Sequence, residues 1–396
     1  MATETAVANK TFLKREEVKL FFLFLGLLCL YLAVAYLIHW PAGYYGSLEQ
    51  PRFADPWIAR TETILSGGLL YRDVFTTTPP LTNFLLIPPA YLAGKLGYVN
   101  PWATLSFMVY FSLFNYLGAL VLFYMGETRR EGFWTAVFFL LNPLTFGNTI
   151  LRRQDESVVV FFIGVALLLF LKRKHFSAAV SMGLAVLVKL TGGIILPVAF
   201  LHSRKWHYLV IPAVVFFTAV SPFLILAGRA AMFWDFSQQE GEHPFQFGGV
   251  SLVALWNSFN EGAQQISLEL PSALFVIGVG AALLFIAWKR IGMVEDLTIL
   301  TAVILLLTPK LHTGYFSMLA FSMAPLLAKY RLHWIYFVFG TLAIVADYYK
   351  WPIEDFQVAF YMMVGVIALL ILAVTIIIWK GLRQPEPTLK VKPQTS

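Results

Sequence analysis

Long apolar runs separated by short charged segments make up most of this chain. The first run, Val18 to Ile38, contains one charged residue, Lys19, and matches the roughly 20 residues that cross a bilayer as a helix. Lipid offers no partner for backbone polar groups, so such runs predict α-helices, whose backbone hydrogen bonds are internal. The pattern therefore predicts an all-α polytopic membrane protein. Further apolar runs lie near 103–125, 133–149, 157–171, 208–227, 271–288, 297–308, 314–327, 333–346 and 357–379.

Basic residues between the runs predict how the chain threads through the membrane, because Lys and Arg accumulate on the cytoplasmic side. Four basic residues from Lys10 to Lys19 open the first run, and no small-residue cleavage site follows it. We therefore expect a retained anchor with a cytoplasmic N-terminus. The same rule places in the cytoplasm the clusters Arg129-Arg130, Lys172–Lys174, Arg204-Lys205, Lys289-Arg290, Lys329 with Arg331, and the tail from Lys380.

Two segments do not fit a simple alternation of crossings. If residues 81–96 crossed the membrane, Arg129-Arg130 would face outside, so we expect a juxtamembrane helix on the outer side. Residues 177–201 have basic loops at both ends, which a single crossing cannot connect. Two short helices that meet at an outward-facing turn, Lys189 to Gly193, resolve this conflict, since non-helical backbone at that depth is tolerated where it lines a cavity.

The resulting arrangement has about twelve transmembrane helices, counting both arms of that hairpin, with both termini cytoplasmic. A single membrane domain covers 1–384, and a cytoplasmic tail covers 385–396. Its three long outer segments are 40–102, which carries the juxtamembrane helices, 228–270 and 347–356.

Composition supports this class. The chain is 59% hydrophobic and 13% charged, whereas a soluble domain has roughly 25% charged residues. The net charge of +7 is spread over short loops, which indicates contact with anionic membrane lipids and not with nucleic acid. The lone cysteine, Cys29, excludes an intramolecular disulfide. The HExxH, GxxxxGK[ST] and GxSxG motifs are absent.

The segment after the first run is unusually polar for a stretch beside a membrane. Asp55 followed by Pro56 is a good helix start, and Gly67-Gly68 is a good stop, so we expect a short interfacial helix over 56–66. Asp55 then either caps this helix, or also serves as a general base at the membrane surface. Glu62, two helical turns on, and Asp73 are candidate supporting residues.

Two more charged segments follow, at predicted outer turns. In ILRRQDES, Arg152 or Arg153 could bind an anion, with Asp155 and Glu156 orienting them or holding a divalent cation; the alternative is a solvated loop that caps the next helix. No other metal or cofactor site is predicted.

Lys189 is energetically costly so close to the membrane, and its position beside Gly192-Gly193 at a helix start suits phosphate binding. Snorkelling of its side chain is the alternative. Lys310 and His312, in TPKLHTGY, form a second such cluster, in which the lone histidine is more often a structural residue.

The order of these features resembles the GT-C superfamily of integral membrane glycosyltransferases. An acidic residue stands early in the first outer loop, and a Y-x-D-x-F-x-x-x-P-P-L run follows from Tyr71 to Leu81. An acidic pair after basic residues comes next, and then the segment Gly183 to Lys189. The T-T-P-P-L portion resembles the mannosyltransferase branches. Many relatives have a second acidic residue where Pro56 stands here.

The resemblance implies an enzyme that moves a hexose, such as mannose, from a polyprenyl-phosphate carrier to a lipid, glycan or protein acceptor, with inversion. The site would face the extracytoplasmic side of a plasma or endoplasmic reticulum membrane. Asp55 would be the base, and Arg152 or Arg153 with Lys189 would hold the phosphate. The chemistry agrees, because an inverting transfer needs one base at the acceptor hydroxyl, and a phosphate leaving group needs cations.

Two other functions fit parts of the sequence. A transporter or flippase of polyisoprenoid-linked substrates is the main alternative, but no inverted repeat is visible and the charges gather at the outer ends of the runs, not at the midplane. A structural subunit of a larger complex is also compatible with this composition.

Overall fold

The computed structural model describes residues 2–38, 56–95, 102–234, 248–350 and 355–383. Within these ranges the chain is almost entirely helical. The helices are α1 (Ala2–Ile38), α2 (Pro56–Leu65), α3 (Pro80–Leu85), α4 (Ile87–Lys95), α5 (Trp102–Met125), α6 (Arg129–Leu141), α7 (Pro143–Phe146), α8 (Glu156–Leu171), α9 (His175–Val188), α10 (Ile195–Ser203), α11 (His207–Ala227), α12 (Leu252–Phe259), α13 (Glu269–Lys289), α14 (Met293–Leu307), α15 (Phe316–Met323), α16 (Leu327–Tyr330), α17 (His333–Lys350) and α18 (Phe356–Gly381).

Short elements join these helices. A π-helical turn covers Gly147–Leu151, and 3₁₀ turns cover Leu190–Ile194, Gly228–Ala231, Gly262–Gln264, Thr313–Tyr315 and Ala324–Leu326. Two strands of two residues each, β1 (Gly248–Gly249) and β2 (Lys310–Leu311), pair in parallel, with Gly248 opposite Lys310.

The prediction of an all-α membrane protein is confirmed. In the described part of the chain, five helical segments are long and apolar enough to cross a membrane, and a bent pair, Arg129–Leu141 with Pro143–Leu151, makes a sixth. Helices such as α8, with 16 residues, and α9, with 14, are apolar but shorter than most single crossings. The total of about twelve crossings stays a prediction. The five segments are Glu16–Leu37, Thr104–Met125, His207–Ala231, Gly262–Lys289 and Phe356–Gly381.

The bend of 57° in the pair α6–α7 has a local cause. Pro143 lacks an N–H and cannot continue the hydrogen-bond ladder of α6. The Asn142 side chain replaces the lost contacts: its Oδ1 accepts from the Leu144 N–H at 2.9 Å, and its Nδ2 donates to the Tyr336 carbonyl at 3.0 Å. The bend is therefore fixed by α17 as well as by the proline.

Helices α9 and α11 run parallel. At their starts, His175 Nδ1 and the Tyr208 hydroxyl are hydrogen-bonded at 2.6 Å. Further along, Gly183 of α9 packs so closely on Val215 of α11 that a Cβ at Gly183 would lie 2.8 Å from the Val215 Cβ. Because α9 and α11 point the same way, the chain has to run back between them. It turns at Lys189, and α10 forms the returning segment. This path agrees with the two short helices predicted around the KLTGG segment; the membrane side that the turn faces stays a prediction.

The short helices before α5 largely follow the predicted pattern. Helix α2 ends one residue before the predicted 56–66, and Gly67 follows it with a φ of 84°, which favours glycine. The segment predicted as one juxtamembrane helix over 81–96 forms two helices, α3 and α4. Prolines are tolerated in the first turn of a helix, so Pro88-Pro89 begin α4 instead of extending α3.

The segments that contain the predicted site residues Asp155, Glu156, Lys189 and Lys310 meet at one end of the helical bundle. The start of α8 meets the end of α9 through ion pairs of Lys189. Helix α3 joins the same end, because the Thr82 hydroxyl donates a hydrogen bond to the Val188 carbonyl. The end of α14 and the β2 segment complete it.

Candidate functional site

A buried ionic cluster lies where α8 begins and α9 ends. The Lys189 ammonium lies 3.0 Å from Asp155 Oδ1 and 2.5 Å from Glu156 Oε1. It also lies 5.5 Å from the centre of the Tyr315 ring. Both carboxylates stand at the N-terminal end of α8, where the helix dipole favours negative charge. The two acids outweigh the single ammonium, so the cluster carries a negative charge when all three groups are ionised.

Local backbone geometry aims Lys189 at the acids. Helix α9 stops at Val188, and Lys189 takes an extended conformation before the 3₁₀ turn Leu190–Ile194. Gly314 presses against the Glu156 carboxylate on the far side, where an added Cβ would collide with that group. Glycine at this position therefore lets the Thr313–Tyr315 turn close over the cluster.

A cavity of about 500 Å³ opens beside this cluster. Its polar lining consists of five threonines, Tyr315 and two lysines, and none of the described residues that line it is acidic. Apolar side chains from the 3₁₀ turn Leu190–Ile194 and from α13, α14 and α15 form an apolar wall. The polar lining residues are Thr77, Thr78, Thr191, Thr301, Thr308, Tyr315, Lys189 and Lys310; the apolar wall includes Ile194, Phe275, Ile304, Leu305 and Met318. The structure thus brings together two of the four cations predicted to bind phosphate.

The T-T-P-P-L run has a structural role at the cavity rim. The Tyr71 hydroxyl donates to the Thr78 carbonyl at 2.8 Å, and Arg60 Nη1 donates to the Thr78 hydroxyl at 3.4 Å. Asn83 Nδ2 donates to the Pro79 carbonyl at 3.0 Å. Tyr71 adopts a φ of 73°, rare for a tyrosine, and stacks on Phe233 with ring centres 5.5 Å apart. These contacts fix the rim, so the run acts as scaffold for the cavity.

Lys310 lies on β2, and His312 directly follows that strand. Desolvation lowers the pKa of His312 to about 4, and the positive charges of Lys189, Lys310 and Lys350 act in the same direction. The His312 side chain keeps contact with solvent. Repulsion from the three lysines lowers its pKa whether or not the imidazole is buried. His312 is therefore a neutral hydrogen-bonding group near pH 7, and the positive charge here comes from the lysines.

Arg152 and Arg153 are held elsewhere. The π-helical turn Gly147–Leu151 ends directly before them. Arg152 forms an ion pair with Asp347 of α17, while the Arg153 guanidinium lies 4.9 Å from the Trp57 ring centre. Neither lines the cavity. Their predicted contact with phosphate stays a prediction.

The remaining predicted residues lie outside the cavity lining or outside the described chain. Asp73 is exposed, accepts from the Leu69 N–H at 2.7 Å and pairs with Arg72 at 2.9 Å, and these contacts lower its pKa to about 2. It is thus an ionised cap of its own turn. Glu62 is exposed on α2. Asp55 lies outside the described residues, one position before α2.

The divalent cation considered for Asp155 and Glu156 stays a prediction. Both carboxylates direct an oxygen at the Lys189 ammonium, which already supplies positive charge at that point. Within the described ranges, no group of three or more His, Cys, Asp or Glu side chains is arranged to hold a metal ion.

Sequence reasoning does not single out several residues that shape the site. Thr191 and Tyr315 lie within the KLTGG and HTGY motifs, so reading every polar residue of those motifs would have found them. Trp57 and Asp347, the partners of the two arginines, carry no such signal, since each lies far from its partner along the chain.

The sequence matches the model of glycosyltransferase family 87 over residues 75–309. This range is 235 of 396 residues (309 − 75 + 1), which is more than half of the chain. It contains Asp155, Glu156 and Lys189, begins after Asp55, and ends one residue before Lys310. The match gives no support to a transporter or flippase. No curated protein matches the chain.

The Lys189 cluster generates a stability prediction. Lys189→Met leaves Asp155 and Glu156 buried side by side without a cation, and we expect a loss of about 3–5 kcal/mol of unfolding free energy. Adding Glu156→Gln should recover part of it, because one buried charge disappears. Unfolding of the purified protein in detergent is the measurement. Lys174→Met, at the exposed start of the same helix, is the control and should change little. A Lys189→Met protein as stable as the wild type would contradict this account.

Proposed function

The chain belongs to glycosyltransferase family 87, a GT-C-type family of membrane glycosyltransferases, and we propose that it moves a hexose, such as mannose, from a polyprenyl-phosphate carrier to a lipid, glycan or protein hydroxyl with inversion. The class of enzyme follows from the family. The donor, the sugar and the stereochemistry are our proposal.

The proposal for the donor rests on the residues that line the cavity. A polyprenyl-phosphate sugar has an anionic head and a long apolar tail. The cavity pairs two lysines and five threonine hydroxyls with an apolar wall that includes Phe275, Ile304 and Leu305. Hydroxyl and ammonium groups donate hydrogen bonds to phosphate oxygens, and each isoprenoid CH₂ buried against the wall contributes roughly 0.8 kcal/mol. The described residues of the lining include no acid, which suits an anionic ligand.

Asp55 is the proposed base. It precedes α2, and α2 is tied to the cavity rim through Arg60 and Thr78. In the reaction, the acceptor oxygen attacks the anomeric carbon while its proton passes to the Asp55 carboxylate. The bond between that carbon and the phosphate oxygen breaks, and polyprenyl phosphate leaves with the bonding electrons. Lys310 and Lys189 stabilise the charge that develops on the leaving phosphate, and Glu62, on the same helix, is a supporting group.

We also propose the membrane arrangement that this chemistry requires. About twelve crossings place both termini in the cytoplasm of a plasma or endoplasmic reticulum membrane, and the cavity opens on the extracytoplasmic side. The exposed basic residues Lys174, Arg204 and Lys289 lie at the ends of helices remote from Lys189, which supports this orientation.

Cysteine labelling tests the orientation. In a Cys29→Ala background, we expect Ser66→Cys to react with an impermeant maleimide from the extracytoplasmic side of intact cells or vesicles. Lys174→Cys should react only after permeabilisation. Both positions are exposed, so access and not burial decides the outcome. Labelling of both from one side would refute the arrangement.

Asp55→Asn tests the base. Asparagine caps a helix about as well as aspartate, so folding should be preserved, while turnover should fall by roughly 10²–10⁴-fold because the amide does not accept the proton. Turnover of purified protein, with the unfolding midpoint measured alongside, is the readout. Asp73→Asn is the matched control and should retain turnover, since Asp73 caps an exposed turn. A well-folded Asp55→Asn protein with near-normal turnover would exclude Asp55 as base.

The donor is tested by offering a polyprenyl-phosphate sugar or the matching nucleotide sugar to the purified protein. We expect transfer from the lipid donor alone. Lys310→Gln should raise the KM for that donor about tenfold or more, because a charge-assisted hydrogen bond is lost. Lys174→Gln, remote from the cavity, should leave the KM unchanged. Efficient transfer from the nucleotide sugar without any lipid carrier would overturn the donor assignment.

A further inference from the structure

Arg153 forms part of an aromatic stack that joins three separate parts of the chain. Its guanidinium lies 4.9 Å from the Trp57 ring centre and 5.2 Å from that of Phe107. The Trp57 ring in turn lies 5.2 Å from Phe107 and 5.4 Å from Phe111, both fully buried on α5. A cation over an aromatic face is attracted by the ring quadrupole, and guanidinium groups favour this arrangement. The stack therefore connects the start of α2 with α5 and with the turn before α8.

The backbone around Arg153 is arranged to present this side chain. Arg153 has a φ of 49°, in the left-handed region that few residues other than glycine adopt. Backbone hydrogen bonds hold it there on both sides: Arg152 N donates to the Gly147 carbonyl at 3.0 Å, and Gln154 N donates to the Asn148 carbonyl at 2.8 Å. Such a conformation persists only where its surroundings impose it, and it is often found at functional positions.

Helix α2 connects this stack to the cavity. Trp57 is its second residue, directly after Pro56, and Arg60, one turn later, donates a hydrogen bond to the Thr78 hydroxyl at the cavity rim. A displacement of the first turn of α2 would therefore move the start of this helix, which follows Asp55 in the sequence, relative to Thr78.

We propose that Arg153 is a positioning residue: by holding Trp57, it fixes the first turn of α2 relative to the cavity rim at Thr78. This role differs from the direct phosphate contact that the sequence suggests for the same arginine. The catalytic consequence rests on the proposed function, because it requires Asp55 to be the base. The structural part, that Arg153 restrains α2, does not.

Kinetics with the lipid donor separate the two roles. For a positioning residue, Arg153→Gln should lower kcat by roughly 10–10²-fold, since a small misplacement of a reacting group has effects of this size. The KM for the donor should stay within about twofold. Arg153→Lys, which keeps the cation but lacks the planar guanidinium, should recover only part of kcat. A phosphate ligand predicts the reverse, a raised donor KM with kcat little changed, and that result would overturn the proposal.

A double-mutant cycle tests whether Arg153 acts through Trp57. In a Trp57→Leu background, Arg153→Gln should have little further effect on kcat, because the interaction is already lost. Additive effects would contradict the proposal. Lys95→Gln is the matched control, since Lys95 makes a comparable cation–π contact with Tyr91 at 5.2 Å on α4 and should leave kcat unchanged.

A labelling experiment tests the restraint without any activity assay. In a Cys29→Ala background, Ala59→Cys reports on the first turns of α2, and Ser66→Cys reports on the segment just after the helix. Arg153→Gln should raise the maleimide reaction rate several-fold at position 59 and leave position 66 unchanged. An unchanged rate at 59 would overturn the proposal. If wild-type protein transfers no sugar, the proposed function fails, while this experiment still decides the role of Arg153.

Discussion

The ion pairs of Lys189 with Asp155 and Glu156 are the interaction on which the rest of this end of the molecule depends. Burying three ionisable groups carries a large desolvation penalty, which is offset only when the charges are paired at short range. Here the distances of 3.0 and 2.5 Å meet that condition. The pairing fixes the end of α9 against the start of α8, and the 3₁₀ turn that follows Lys189 forms one wall of the cavity. The position of that wall thus depends on the charge balance of the cluster.

The same cluster also affects how tightly the phosphate of the proposed donor would be bound. Two carboxylates share the Lys189 ammonium, so an arriving phosphate competes with them for its hydrogen bonds. Lys310 stands on another element, paired with Gly248 across the two short strands, and it adds a second ammonium to the lining. The Thr191 hydroxyl contributes a donor without charge, whereas the hydroxyls of Thr301 and Thr308 already donate to backbone carbonyls. An arrangement of this kind binds a phosphate less tightly than unpaired cations would, which is compatible with the proposed lipid-phosphate donor, whose phosphate has to leave after each transfer.

Sequence patterns predict the class of fold and most of the local breaks, because these depend on residues close together in the chain. Apolar runs indicate the helices, the Asp55-Pro56 start and the Gly67 stop indicate α2, and the basic loops around 177–201 require a turn at Lys189. The motifs around Lys189 and Lys310 are recognisable, and both lysines line one cavity. The partners of Arg152 and Arg153 cannot be recognised from the sequence, because Asp347 and Trp57 contact them only through tertiary packing. The π-helical turn that precedes the two arginines also has no clear pattern of its own.

The parallel packing of α9 and α11 has a consequence for how the chain is made. Synthesis proceeds from the N-terminus, so Asp155 and Glu156 already exist when Lys189 emerges, and its charge has partners at once. The flank of α9 around Gly183 is different, because its neighbour Val215 is added 32 residues later. Until then the Gly183 flank of α9 lacks its native neighbour in α11. The charged end of α9 can therefore form its ion pairs early in biogenesis. Its apolar side can pack only after α10 and α11 have been synthesised.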